Sequence, residues 1–150
     1  MTKIYVDADA CPVKDSIITA AIRHDCQTFM VCNGGIRPHP HPRIELVIVT
    51  ASADAADIWI AEHISAEDIL VTNDIPLAEK CVHSGAIVLK PDGKILDSHS
   101  IGGAVATRDL MSDIRSANPF HISKAKPFSA ADKHKFSQKL EELLNQRSRQ

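Results

Sequence analysis

Acidic residues follow short apolar runs at several places in this 150-residue sequence. KIYV leads into Asp7 and Asp9, LVIVTASA leads into Asp54, and ILVTN leads into Asp74. Asp57 comes three residues after Asp54, so a helix would give the two acids neighbouring positions. Carboxylates gathered in a small volume repel one another, and a divalent cation removes that conflict. Since Mg²⁺ and Mn²⁺ prefer hard oxygen ligands, the pattern indicates a site for one of these ions.

The chemistry that such a site favours is metal-assisted hydrolysis of a phosphodiester. A bound divalent metal lowers the pKa of a water molecule and orients a phosphate, and two metals can clamp both sides of the bond that breaks. In this hypothesis Asp7, Asp54 and Asp74 ligate metal, whereas Asp57 and Asp9 ligate it or orient water. Other polar residues are candidates for phosphate contacts, with turn formation or a solvated charge as the competing interpretation; they are Lys14, Asn33, Thr72, Asn73 and Arg108.

The same acids also have a purely structural interpretation. Asp9, Asp54 and Asp74 each precede or begin a predicted helix, where an acid caps the helix and complements its dipole. Each of these three residues, taken alone, therefore fits a helix cap better than a metal ligand. Asp57 differs because it lies beside the apolar stripe of its predicted helix. It is the conjunction of all these acids that favours a shared site.

Strands and helices alternate along the chain and would bring the acids together. Buried strands are predicted at 3–6, 28–33, 44–50, 68–73 and 86–90, with a candidate edge strand at 94–96. Helices are predicted at 13–25, 51–64, 75–85, 100–117 and 129–147. This order predicts a three-layer α/β/α fold with a mainly parallel sheet of about five strands. The carboxyl ends of parallel strands meet at one edge, where ligands bind in such folds.

Two further groups of residues are weaker candidates. His39 and His41 in PHPHP could bind a transition metal, but the flanking prolines favour a stiff, extended loop. Cys11 precedes a helix, which could activate its thiol, although the neighbouring acids oppose a thiolate. The four cysteines form no CxxC pair, and no apolar run is long enough to span a membrane. These features predict free thiols in the cytoplasm and no membrane partner.

Composition predicts one domain over residues 1–150, with a helical extension from about residue 100. Residues 1–100 hold 8 Lys and Arg against 14 Asp and Glu, whereas residues 101–150 hold 9 against 5. An acidic centre beside a basic C-terminal region suits a metal site with a polyanionic substrate, although the charge alone favours a solvated basic helix at the end of the chain. Aromatic residues are sparse at 4%, fewer than single-stranded nucleic-acid binders usually carry.

The sequence resembles the YaiI/YqxD family of uncharacterised bacterial proteins. The resemblance is carried by VDADACPVKD, DAADIWIAE and VTNDIPLAEK in that order, and it extends through RPHPHPRIELVIV and LDSHSIGGAVATRDLMSDIR. That family is similar in pattern to the PIN-like nucleases, which implies a PIN-like fold and a metal site. The implied positions are Asp7 after the first strand, Asp54 and Asp57 in the central helix, and Asp74 after the fourth strand, with Asp9 as a second acid of the first loop.

The sequence departs from the PIN-like pattern at two places. Ile75 and Pro76 stand where many PIN-like enzymes carry a further acid, so the second metal lacks its usual ligand. The segment SANPFHISKAKPF replaces the Gly-Gly-Pro segment that often precedes the last helix in the family. The resemblance therefore implies a fold and a metal site.

Three functions follow from these patterns. The leading hypothesis is a nuclease dependent on Mg²⁺ or Mn²⁺ that acts on RNA more readily than on DNA. A second hypothesis is a haloacid-dehalogenase-like phosphatase, in which Asp7 is phosphorylated and Asp9 is the acid/base, although Ala10 and Cys11 break that family's motif. A third is a non-catalytic module that binds RNA or a protein, with the acids holding a structural ion or none.

Overall fold

Six strands and five helices make up the part of the chain that the computed structural model describes, residues 2–52, 54–117 and 127–148. The strands are β1 (Ile4–Asp7), β2 (Thr28–Cys32), β3 (Ile44–Ile48), β4 (Ile69–Val71), β5 (Ile87–Leu89) and β6 (Ile95–Leu96). The helices are α1 (Lys14–Arg23), α2 (Ala55–His63), α3 (Ile75–His83), α4 (Ile101–Ala117) and α5 (Ala130–Ser148). A 3-10 turn, Ala8–Ala10, follows β1 directly. This turn is too short to be predicted from the spacing of hydrophobic residues.

The strands form one sheet in the order β3-β2-β1-β4-β5-β6. All neighbouring pairs from β3 to β5 are parallel, and β6 pairs antiparallel with β5. This confirms the predicted PIN-like α/β fold with a mainly parallel sheet. The candidate edge strand predicted at 94–96 corresponds to β6. Chain order reverses between β1 and β4, and such a reversal opens a crevice at the carboxyl edge of the sheet.

Helices cover both faces of the sheet and divide the core in two. Ile4 and Val6 of β1 face α1 and α5, whereas Tyr5 between them faces α2 and α3. All three side chains are buried, because a central parallel strand is covered on both sides. Asp7 follows Tyr5 on the same side of the sheet and is only partly buried, because β1 ends there at the carboxyl edge.

The connection from β2 to β3 contains no helix. Its Pro40 and Pro42 have no N–H group, and the two histidines supply acceptors for their neighbours. His39 Nδ1 accepts the N–H of His41 at 3.1 Å, and His41 Nδ1 accepts the N–H of Arg43 at 3.1 Å. In this arrangement one nitrogen of each ring bonds the backbone of its own loop.

The last helix packs into the same core as α1. Phe136 and Leu140 of α5 are fully buried in that core. At its surface, His24 Nε2 lies 2.6 Å from Glu141 Oε2, and Arg23 donates to the other oxygen of Glu141 at 3.1 Å. Most of the predicted linker KAKPF and of the segment SANPFHISKAKPF, residues 118–126, lies outside the described residues.

The sequence predicts free thiols and no membrane-spanning segment. All four cysteines are free thiols. Across residues 2–52, 54–117 and 127–148, no helix has both the length and the apolar character needed to cross a membrane.

Candidate metal centre

The first acid of the site, Asp7, is the last residue of β1. Its side chain is half-buried, and its Oδ2 accepts a hydrogen bond from the hydroxyl of Thr72 at 3.0 Å. Thr72 follows β4, the neighbour of β1 in the sheet, and is itself buried. Parallel pairing of the two strands therefore brings these residues, 65 positions apart in sequence, into contact.

The second acid, Asp74, is the N-cap residue immediately before α3. Its Oδ1 accepts the N–H of Leu77 at 3.1 Å, and its own N–H donates to the Thr72 hydroxyl at 3.0 Å. Thr72 thus joins Asp74 to Asp7 through one oxygen atom. The structural interpretation of Asp74 as a helix cap and the functional one are compatible, because capping engages one of its two carboxylate oxygens.

The third acid, Asp57, comes from the first turn of α2. Ala56 and Ile60 on the same helix are buried against the sheet, so Asp57 beside them is half-buried. One carboxylate oxygen from each of Asp7, Asp57 and Asp74 lies within 4.8 Å of the others. Three segments distant in sequence therefore direct carboxylates to one point at the carboxyl edge of the sheet.

The protonation of these acids shows how strongly they interact. The pKa of Asp57 is raised from 3.8 to about 6, first by burial and then by the charges of Asp74, Asp7 and Asp54. Lys80 opposes this shift without cancelling it. Burial also raises the pKa of Asp7, against the lowering effect of the hydrogen bond from Thr72. The site is thus a place where negative charge is unfavourable unless a cation is present.

The donor set fits a hard divalent cation. All three side chains offer carboxylate oxygens, which Mg²⁺ and Mn²⁺ prefer over sulfur ligands. Three protein oxygens also leave coordination positions for water and substrate, as Mg²⁺ usually requires. Burial raises the pKa of the nearby Cys11 thiol, so a thiolate is disfavoured at this site.

A cavity of about 430 Å³ opens beside two of the three acids. Asp7 and Asp74 line it together with Thr72 and Asn73, and Arg108 from α4 contributes a cation. Arg108 is half-exposed and lies 3.6 Å from Asp109, its neighbour in the helix. The cavity thus combines carboxylates with a guanidinium group that could bind a phosphate.

Other predicted site residues lie elsewhere. Asp54 is exposed, precedes α2 and is not part of the three-acid group, so its role as a ligand stays a prediction. Asp9 is also exposed, and both of its carboxylate oxygens lie 3.1 Å from the N–H of Asn33. That contact engages the group which the phosphatase hypothesis needs as acid/base. Lys14 Nζ donates to the carbonyl of Ala8 at 3.4 Å and lines a different cavity.

Sequence reasoning missed two contributors. Pro91 lines the cavity, and Lys80 lowers the pKa of Asp57 from α3. Pro91 comes two residues after the end of β5, and the rule that parallel strands end at one edge could have included it. Lys80 carried no comparable signal, because an exposed lysine on a helix is the default case.

Comparison with known proteins places these motifs in a wider group. Residues 5–146 match the family described as "Uncharacterized BCR, YaiI/YqxD family". A UPF0178 protein of Cereibacter sphaeroides is 50% identical over 144 residues, which cover 96% of this chain and 89% of the relative. Another from Roseobacter denitrificans is 48% identical, covering 96% and 95%. A third from Rhodospirillum centenum is 45% identical, covering 97% and 96%. No solved structure matches the chain significantly.

Proposed function

This chain belongs to the YaiI/YqxD family, and from its three-acid group we propose that it is a divalent-metal-dependent nuclease with RNA as the favoured substrate. The observation that carries the proposal is the approach of Asp7, Asp57 and Asp74, whose oxygens lie within 4.8 Å of one another. Nothing in local folding requires this approach, since capping accounts for Asp74 alone.

Asp7, Asp57 and Asp74 would hold Mg²⁺ or Mn²⁺. When bound, the ion would supply a Lewis acid for the phosphate and acidify a water molecule. The raised pKa of Asp57 supports this assignment, because burial and then the neighbouring acids disfavour its negative charge, which a bound cation would stabilise.

Residues of the chain would position the substrate around this centre. Arg108, which lines the same cavity as Asp7 and Asp74, suits a phosphate oxygen. Asn73, at the turn before α3, is exposed and can donate its side-chain amide. Thr72 would act through another residue, because its hydroxyl donates to Asp7 and fixes the direction of that carboxylate. Asp54 lies outside the three-acid group but adds to the charge that raises the pKa of Asp57.

Hydrolysis of single-stranded RNA in the presence of Mn²⁺ tests the proposal. We expect Asp7→Asn and Asp57→Asn to reduce the rate by roughly a hundredfold or more, because each removes one charge from the metal site. Asp74→Asn should do the same while leaving the helix capped, since Asn is as good a cap as Asp. DNA of the same sequence should be cleaved more slowly.

The matched control is Asp15→Asn, an identical chemical change at an exposed acid in the first turn of α1. It should leave the rate unchanged. Full activity in Asp7→Asn, or equal losses in Asp7→Asn and Asp15→Asn, would contradict the proposal.

A further inference from the structure

A second groove, of about 690 Å³, continues from the cavity at the acids. Asn73 and Pro91 line both spaces, so a ligand at the three-acid group could extend from one into the other. One wall of this groove is the turn Pro91–Lys94, which follows β5. The other wall is a face of α5 that presents Lys135 and Lys139.

Gly93 sets how closely the two walls approach. Its φ is +92°, a conformation that side chains disfavour. A Cβ atom at this position would lie 3.0 Å from both the carbonyl carbon and the Cβ of Lys135. The backbone of the turn therefore packs directly on the backbone of α5, and this contact holds Lys94 and Lys135 beside the same groove.

The groove contains three acids and three lysines, but the acids are engaged locally. Asp92 Oδ1 accepts the N–H of Lys94 at 3.1 Å, Asp132 Oδ2 accepts the N–H of Ser129 at 3.1 Å, and Glu142 lies 3.0 Å from Lys139. No ion pair or hydrogen bond within the described ranges engages the ammonium group of Lys94 or of Lys135. These two cations are available to a ligand.

An aromatic side chain lines the same groove. Phe128 precedes α5 and is 41% exposed, unusually open for a phenylalanine. Its position is fixed by a reciprocal cap at the start of α5. Ser129 Oγ accepts the N–H of Asp132 at 3.2 Å, and the N–H of Ser129 donates back to the carboxylate. An exposed ring on a capped helix start is a ready surface for stacking.

We propose that this groove, which we call the lysine groove, binds the single-stranded RNA that extends from the phosphodiester at the three acids. Phosphates lie near Lys94 and Lys135, and a base stacks on Phe128. A single strand fits better than a duplex, because only an unpaired base exposes its face to a side chain. The inference rests on the proposed nuclease function and adds the path of the substrate.

Binding of a short, labelled, unstructured RNA in EDTA tests the groove without cleavage. We expect Phe128→Ala to weaken binding by about tenfold, as removal of a stacking platform does. The double variant Lys94→Ala/Lys135→Ala should weaken binding and make the dependence of log K on log salt shallower by about one to one and a half, the effect of losing two phosphate contacts on a single strand. A matched duplex should bind more weakly than the single strand.

The control is Lys133→Ala, an exposed lysine of α5 that lines a different cavity beside α1. It should bind RNA as the wild type does. RNA affinity unchanged in both groove variants, or lowered equally by Lys133→Ala, would overturn the lysine groove.

A small diester, bis(p-nitrophenyl) phosphate, separates this inference from the nuclease proposal, because it has no nucleotide chain to lie along the lysine groove. Groove variants should hydrolyse it with Mn²⁺ at the wild-type rate. If the wild type hydrolyses the diester but groove variants retain full RNA affinity, only the groove fails. If RNA binds through the groove but no diester is hydrolysed, only the nuclease fails.

Discussion

At the scale of single residues, Asp57 distinguishes a metal site from a set of helix caps. Asp74 has a structural partner in the N–H of Leu77, and Asp7 has one in the Thr72 hydroxyl. In the described part of the chain, no hydrogen bond engages the Asp57 carboxylate. It is nevertheless half-buried and has a pKa of about 6. A carboxylate placed among other acids, with no hydrogen-bond donor among the described residues and only the charge of Lys80 to offset them, is better explained by a ligand than by folding.

The substitution Asp57→Asn should therefore stabilise the metal-free protein at neutral pH. The pKa of Asp57 is about 6 in the folded state against 3.8 ordinarily, so the folded state holds the proton more tightly. This group makes the free energy of unfolding fall as pH rises from about 4 to about 6, and the loss persists above that range. After allowance for solvent screening of a half-exposed group, the gain in Asp57→Asn is about 1 kcal/mol at pH 8.

Urea unfolding in EDTA across pH 4–8 measures this difference. The free energies of unfolding of the two proteins should converge near pH 4, where residue 57 is neutral in both folded proteins. Added Mn²⁺ should stabilise the wild type more than the variant. An Asp57→Asn protein that is less stable than the wild type at pH 8 in EDTA would show that the carboxylate stabilises the fold instead.

The sequence was informative about these residues up to a definite point. Strand-end position predicted that Asp7 and Asp74 share an edge, and the helical stripe favoured Asp57. The sequence could not decide whether Asp54 also joins the group, because the direction of its side chain depends on where α2 begins. The predicted helix started at residue 51, whereas Ala55 begins α2 after a turn in which its N–H donates to Ser52. That later start leaves Asp54 outside the helix and exposed.

At the scale of elements, the loop between β2 and β3 shows how proline and histidine cooperate. The three prolines of this loop have no N–H groups, and each histidine ring accepts the N–H two residues later. The sequence predicted a stiff, extended loop from the prolines that flank the two histidines. It could not predict the ring-to-backbone bonds, because these depend on side-chain torsions and on which ring nitrogen carries the proton.

Replacing His41 should loosen this connection. In His41→Ala the N–H of Arg43 loses its acceptor, which should lower the free energy of unfolding by about 1 kcal/mol. His41→Asn should recover part of the loss, since an Asn side chain accepts the N–H two residues on in many turns. Chemical denaturation measures the free energy of unfolding of both variants, with His134→Ala on the exposed face of α5 as control. Equal stability of His41→Ala and the wild type would mean that water replaces the His41 ring as the acceptor for the N–H of Arg43.

At the scale of the whole molecule, parallel pairing gathers the site. The order β3-β2-β1-β4-β5-β6 makes β1 and β4 neighbours, and α2 and α3 pack on one face beside them. Alternation of strands and helices predicted a parallel sheet with its carboxyl ends at one edge. The pairing of particular strands is non-local and leaves no pattern in a single sequence, so the order itself emerged only from the structure.

The last helix should be essential to the core, in keeping with the prediction of one domain over residues 1–150. Phe136 on α5 is fully buried against α1 and the sheet. Phe136→Ala should lower the free energy of unfolding by about 3–5 kcal/mol, because it removes a large buried ring and leaves a cavity. Calorimetry should show a single transition at lower temperature.

Phe128→Ala is the matched control, since its ring is 41% exposed and should contribute little to stability. Two separate transitions in Phe136→Ala, with one unchanged from the wild type, would indicate instead that α5 folds apart from the sheet.

The most direct test of the account is a crystal grown with Mn²⁺ and measured at a wavelength where manganese scatters anomalously. We predict an anomalous peak among Asp7, Asp57 and Asp74, with about 2.0–2.3 Å between the ion and an oxygen of each carboxylate. No peak at these acids, or a peak only at another place such as His39 and His41, would contradict the central claim.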